Sequence, residues 1–318
     1  MERNAPVSSE ITGYAVSAFL YLHSLTGDDR YRKAGLRSAH FLVDQGWDRA
    51  SMTFPFEPGS DRAYFFDIGI IIRGLLAAAR ATGDSIFKEL AKTAALSLAF
   101  DFLGENEFAP VISLPQKQAP PYEPRWSRMP GCYQLKSAVA WKEVGEEHGD
   151  RMFHVALGSA LATHESFLPG EEDRERVMDR LHAYGYFLEA LLWVADRPEA
   201  RKALEYGIEK AAGLFRDIAP QFERSDVSAQ LLRVRLIAHH LHGMPLDERA
   251  ACHEASRCAS FQIVSESQVL NGGFWFGSKA GAILPFANPV STAFAMQALQ
   301  LWEDHNAGNW RFQLHQLI

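Results

Sequence analysis

Polar residues recur in pairs inside stretches that are otherwise apolar: Glu10 and Tyr14, Tyr64 and Asp67, Tyr133 and Lys136, His182 and Tyr184, Asp226 and Gln230, Asn288 and Thr292. Where the spacing is i,i+3 or i,i+4, both members share one helix face. Asp67 and Asp226, with Glu10 as a substitute, supply the two carboxyl groups that cleavage of a glycosidic bond needs, one protonated and one ionised. His182 and Tyr184 form a candidate acid–base pair for moving a carbon-bound proton, with Lys136 or Arg128 to hold a substrate carboxylate. Tyr14, Tyr133, Trp126 and Trp275 offer flat apolar faces beside the amides of Gln230 and Asn288, the combination that a sugar ring and its hydroxyls require.

A second reading applies to part of this set. Asp, Asn and Ser are the preferred helix N-caps, so Ser9, Asp67, Asp226 and Asn288 suit helix starts with no further role, and Pro289 suits a first helical position. Capping does not explain why Glu10, Tyr14, Tyr133, Lys136, His182 and Tyr184 accompany them, because an apolar helix face has no use for such groups unless they reach a wet cavity. Trp126 and Trp275 fit equally as plugs of their own loops.

The elements that must position these residues follow from a repeated pattern. An almost wholly apolar segment is followed by a short turn and then a charged amphipathic segment. The turns read Thr26-Gly27-Asp28, Thr82-Gly83-Asp84, His148-Gly149-Asp150, Ala195-Asp196-Arg197-Pro198 and His242-Gly243-Met244-Pro245. A helix that is apolar all round must be buried, whereas one with a polar face can meet water. The pattern therefore predicts inner helices over 9–24, 66–81, 132–146, 179–194, 226–241 and 288–304. Outer partners are expected over 29–45, 84–102, 150–167, 198–218 and 246–264, leaving the tail to Ile318 to serve as a sixth outer element or to cover the ring otherwise. This is an all-α toroid of five to six α/α hairpins, expected as a single domain over 1–318, with parallel inner helices whose starts gather on one rim. Two connections exceed ordinary turns. Residues 104–131 carry six prolines, which excludes helix, and 266–287 contain Asn271-Gly272-Gly273 before Phe274-Trp275-Phe276, which reads as a tight turn with a hairpin.

Composition narrows the function classes. The net charge of −7 argues against a general nucleic-acid surface. The three cysteines cannot form a paired framework and fit a reducing, cytoplasmic setting. The apolar stretch 11–22 follows Glu2 and Glu10 and lacks a cleavage site, so it reads as a buried helix rather than an export signal, and Arg73 and Arg80 interrupt the best candidate for a membrane span. Cys252, His253 and Cys258 match no zinc spacing. The tract His239-His240-His242 reads as a helix end, where imidazole meets the negative pole of the dipole. No metal or cofactor is expected.

Ser9-Glu10-Ile11-Thr12-Gly13-Tyr14, Phe66-Asp67-Ile68-Gly69 with Arg73-Gly74-Leu75, His182-Ala183-Tyr184-Gly185 with Leu188-Glu189-Ala190-Leu191, and Ala287-Asn288-Pro289 with Phe294 together resemble bacterial toroid proteins. These are related to the six-hairpin glycosidase superfamily and are often labelled prenyltransferase-like or squalene-cyclase-like. The resemblance spans nearly the whole chain. It implies a carbohydrate-active protein of glycoside hydrolase, lyase or uronosyl epimerase type, with a small-molecule or oligosaccharide ligand at the inner-helix starts. The alternative is a non-catalytic toroid binding a glycan or a protein. Isoprenoid chemistry fits less well: Asp28-Asp29 lies in a turn without a third Asp, and no Asp/Cys/His zinc set is present.

Overall fold

The structure, a computed structural model, describes residues 7–104, 107–123, 125–168 and 173–318. Helices dominate, in the order expected: α1 (Ser9–Thr26), α2 (Asp29–Phe41), α3 (Phe65–Thr82), α4 (Ser85–Phe100), α5 (Leu135–Val144), α6 (Glu147–Phe167), α7 (Arg174–Leu191), α8 (Pro198–Ile218), α9 (Ser225–His242), α10 (Glu248–Ser260) and α11 (Pro289–Asn306). The recurring Gly-Asp turns have a simple cause. Gly27, Gly83 and Gly243 end inner helices α1, α3 and α9 in the left-handed conformation, and Asp28, Asp84 and Asp247 then accept a backbone N–H at the starts of outer helices α2, α4 and α10. The third turn lies earlier than expected. Gly145 ends α5 with φ 77°, and Gly149 and Asp150 fall within the first turns of α6.

The chain divides into two compact units, Met1–Ala160 and Leu161–Ile318. In the first, α3 packs between α1 and α5, with α2 outside α1 and α4 outside α3. It is buried from Phe65 to Leu76. Glycine makes the approach possible: a Cβ on Gly69 would stand 2.3 Å from Ser137 Cβ, and one on Gly74 would stand 2.7 Å from the Gly13 carbonyl oxygen. Ser137 Oγ donates to the Phe66 carbonyl at 2.7 Å, and Arg73 Nε meets Glu143 at 2.5 Å further along, so α3 and α5 run parallel.

The second unit repeats the plan. Here α9 packs between α7 and α11, with α8 outside α7 and α10 outside α9, and it is buried from Ser225 to Ala238. Arg233, fully buried, pairs with the fully buried Glu189 of α7, donates to Gln297 of α11 at 3.1 Å and lies 3.9 Å above the Phe294 ring. The tail forms no outer helix. It turns inward instead, where Ile318 N donates to Gln297 Oε1 at 3.1 Å and Leu317 and Ile318 are buried.

Short strands lead directly into the two central helices. The strand β1 (Arg62–Tyr64) runs into α3 and pairs antiparallel with β2 (Val111–Ser113), from the proline-rich connection. The strand β3 (Phe222–Arg224) runs into α9 and pairs with β4 (Gly277–Lys279), which pairs with β5 (Ala282–Ile283). The turn expected at Asn271-Gly272 is present, with Gly272 at positive φ and its flanks pairing antiparallel at Gln262 and Phe274, and a second, tighter hairpin between β4 and β5 turns at Ala280 and Gly281, both at positive φ.

The buried ion pairs make a stability prediction. Glu189→Ala leaves a guanidinium buried without its counter-charge, so urea denaturation is expected to show a loss of roughly 3–5 kcal/mol. The half-exposed Arg201–Glu205 pair is the control, and Glu205→Ala should cost far less.

Candidate functional site

Each unit gathers polar groups at the starts of its inner helices, and the strand lead-ins explain why these are not caps. Tyr64 and Arg224 occupy the N-cap positions of α3 and α9 without a side-chain capping bond, so Asp67 and Asp226 fall inside the first turn. Ser9 likewise sits inside α1, whose cap is Ser8. Asn288 does cap: its side chain accepts from Val290 N at 2.8 Å and Ser291 N at 3.1 Å, which commits that oxygen to α11.

In the second unit the centre is His182. Its Nδ1–H donates to Gln230 Oε1 at 2.9 Å and lies 3.6 Å from Asp226 Oδ2. A proton on Nδ1 leaves the Nε2 lone pair available in the neutral ring. Burial lowers the imidazole pKa to about 4 against the opposing pull of Asp226, so the ring is neutral at pH 7. Gly185 leaves room for this contact: a Cβ there would stand 2.7 Å from the Gln230 side chain and displace its amide.

Asp226 is clamped. Arg224 donates from Nε to Oδ1 at 3.0 Å and from Nη2 to Oδ2 at 2.7 Å, and Ser291 Oγ adds a bond at 3.2 Å. Burial alone would raise this carboxyl, but Arg224 and His182 outweigh it and hold the pKa at about 2. The bidentate geometry accounts for that strength. Arg224 also bonds Asp179 at 2.9 Å and stands 4.7 Å over the Phe276 ring.

In the first unit the electrostatics run the other way. Asp67 is 7% exposed, and its Oδ2 is buried without a hydrogen-bond partner. Burial first, and the neighbouring Glu10 charge second, push its pKa well above the usual carboxylate range. Burial also raises Glu10 to about 7. Two desolvated carboxyl groups that repel one another cannot both ionise readily, so the pair keeps a proton near neutrality. Tyr133 packs beside them, donating to the Met129 carbonyl at 3.1 Å and raised by burial and by Asp67, and Trp126 meets its ring edge-on at 5.1 Å. Tyr14 is buried in α1 and Lys136 in α5.

Other sequence-predicted residues lie apart from these centres. Tyr184 is two positions from His182, roughly 200° around the helix. Its hydroxyl bonds His164 Nδ1 at 3.1 Å, so the expected His182–Tyr184 proton-transfer pair is not formed. Arg128 pairs with Glu123 on the connection, which satisfies the charge expected to hold a substrate carboxylate. Half-buried Trp275 is tied through its backbone: its N donates to the Phe261 carbonyl at 2.9 Å and its own carbonyl accepts from Ser225 Oγ at 2.7 Å. Sequence reasoning missed Arg224 and Ser291. The signal was the Arg-Ser-Asp run at an inner-helix start, where a buried Asp demands a counter-charge.

No protein-family model matches the chain, and no curated protein matches it. Solved structures do. The chain is similar to the cellobiose 2-epimerase from Spirochaeta thermophila DSM 6192, with a TM-score of 0.73 at 12% identity over 95% of this chain and 88% of that one. It is similar to a D-mannose isomerase, with a TM-score of 0.62 at 10% identity over 92% and 86%. A third is the family 76 glycoside hydrolase (mannosidase) Bt3792 from Bacteroides thetaiotaomicron VPI-5482, with a TM-score of 0.59 at 11% identity over 94% and 88%. All are α/α toroids, and that is the fold class of this chain. Among the described residues, no helix is long and apolar enough to cross a membrane.

The carboxyl pair in α1 and α3 carries a pH signature. Glu10 has a folded-state pKa of about 7 against an ordinary 4.5, so its contribution to stability is present below pH 4.5 and lost as pH rises through 7. Glu10→Gln removes that loss. Thermal melts should show the wild type losing ground to Glu10→Gln across this window, with little further change above it. A constant difference from pH 4 to 8 would mean that Glu10 titrates normally.

Proposed function

We propose that the protein is an enzyme acting on a carbohydrate, and that its reaction is a proton transfer at a sugar carbon, of the epimerase or isomerase type. The observation that carries this reading is His182: a buried, neutral imidazole whose Nδ1–H is fixed by Gln230 and faces an ionised Asp226, leaving Nε2 to act. A base of that kind removes a proton from the carbon next to the carbonyl of an open-chain sugar and returns it to the enediol that results. Return to the opposite face of the same carbon gives an epimer, and return to the neighbouring carbon gives the keto isomer. Asp226 and Gln230 act as positioning residues, and the Arg224 clamp keeps Asp226 ionised so that it steadies the imidazolium formed during transfer. The fold likeness supports the substrate class, since the similar structures include a cellobiose 2-epimerase and a D-mannose isomerase.

One observation favours a second reading. The Glu10–Asp67 pair retains a proton near neutrality, which is the condition for a general acid in glycoside hydrolysis. Asp226, held ionised by Arg224, does not suit the protonated role in such a pair. A glycan-binding toroid without turnover is the remaining outcome.

The test is incubation with a panel of aldoses, ketoses and β-linked disaccharides in deuterated water. The expected result is deuterium at the carbon beside the carbonyl together with an epimer or keto isomer. His182→Asn should abolish exchange, while Asp226→Asn should lower kcat by about 10²–10⁴-fold, the range of acid–base contributions. Release of new reducing ends without exchange, lost in Asp67→Asn and kept in His182→Asn, would replace the isomerase reading with hydrolysis. Binding without any product would leave the non-catalytic reading.

A further inference from the structure

We propose that His239, His240 and His305 form a binding site for a divalent transition metal, best suited to zinc, where the C-terminal ends of α9 and α11 meet. One ring nitrogen from each lies within 4.8 Å of those of the other two. The site is at the opposite end of α9 from Asp226 and does not depend on the proposed reaction.

The hydrogen bonds around the cluster are those that orient metal-ligating imidazoles. His239 Nδ1–H donates to the Met244 carbonyl at 2.9 Å, so its Nε2 carries the lone pair. His305 Nε2–H donates to Glu248 Oε1 at 3.1 Å, so its Nδ1 carries the lone pair. A ligand histidine whose second nitrogen is held by a carbonyl or carboxylate is the usual arrangement around a bound metal. His305 Nδ1 in turn stands 2.9 Å from His240 Nε2. Nitrogens bound at about 2.0–2.1 Å on a tetrahedral centre stand roughly 3.3 Å apart, so admitting an ion needs the His240–His305 pair to open slightly and the His239 ring, whose nitrogen lies within 4.8 Å of the other two, to swing toward them.

Packing fixes the ring planes. Trp310 stacks on His240 at 4.0 Å with an interplanar angle of 13°, and Trp302 stacks on His305 at 5.6 Å. The helix ends supply the field, since α9 stops at His242 and α11 at Asn306, and both present the negative pole of their dipoles to a cation. Dipole attraction alone explains a histidine at either end. It does not explain why two helices bring imidazole nitrogens to 2.9 Å of one another, His240 Nε2–H donating to His305 Nδ1, with Glu248 and Met244 behind them. Neutral nitrogen ligands select zinc, copper or nickel over magnesium and calcium. The three rings are partly exposed, which leaves a fourth position for water.

The experiment uses untagged, chelator-treated full-length protein titrated with ZnCl2 by calorimetry and with CoCl2 by visible absorption. One equivalent is expected to bind, with the intense absorption of tetrahedral cobalt, the His240 ring carrying its proton on Nδ1 once Nε2 is a ligand. His240→Ala and His305→Ala should abolish binding, and Glu248→Gln should weaken it about 10–100-fold. Stoichiometry unaffected by His305→Ala, or no binding beyond buffer controls, would overturn the proposal. The wild-type cobalt spectrum needs no variant: an octahedral spectrum like that of free Co2+ is equally decisive against it.

Discussion

The structure depends on one constraint: the central helix of each unit is buried along most of its length, so the charged groups it carries there are met by protein rather than by water. Along α9 this is visible residue by residue. Gln230 meets His182, Arg233 meets Glu189, and Arg235 meets Glu254 with both oxygens near its Nε, at 2.9 and 3.1 Å. In α3 the same role falls to Arg73, whose partner Glu143 also receives Arg80 at 3.4 Å. Leaving any of these groups alone would cost more than the pair returns, so the partners on neighbouring helices are fixed in register by the central one.

The two units meet that constraint in opposite ways at their helix starts, and the difference is chemical. Asp226 has a guanidinium on both oxygens and gives up its proton. Asp67 has Glu10 for a neighbour and keeps one. Both carboxyl groups occupy the first turn of a buried helix that emerges from a short strand, so backbone position does not distinguish them. What distinguishes them is the residue two or three places earlier: Arg224 on one strand, Tyr64 on the other. Paired sites whose surroundings drive carboxyl pKa values apart are how a single fold provides both acids and bases at one pH.

Much of the fold was legible because it rests on burial. Predominantly apolar segments marked α1 and α3 as inner helices, and the Gly-Asp turns marked their ends through a local rule that needs no tertiary information. What escaped was set by distant contacts. The pairing of β1 with β2 draws part of the proline-rich connection into a sheet, and nothing in Val111–Ser113 alone says which strand it meets. Site residues were legible by type and misread by direction. His182 and Tyr184 look like a pair in sequence, yet a helix turns them to different faces. Asp67 and Asp226 look like caps, yet the strands before them move the cap upstream. Arg224 was invisible as a site residue because its role exists only once Asp226 is buried beside it.

The seam between α9 and α11 shows how far a single register reaches. Asp226 meets Ser291, Arg233 meets Gln297 and His240 meets His305, and both numbers rise together, so the helices run parallel along their full shared length. The α9 residues recur at intervals of seven, which keeps them on one face of a helix with close to 3.6 residues per turn. Each level of that seam does different work: a clamped carboxylate at the start, a buried cation in the middle, an imidazole pair at the end. The middle level also receives the tail, through Gln297 and the Ile318 backbone. A sixth outer helix is thus replaced by a segment that bonds directly into the polar seam, and the register of α11 against α9 is held by the same arginine that satisfies Glu189.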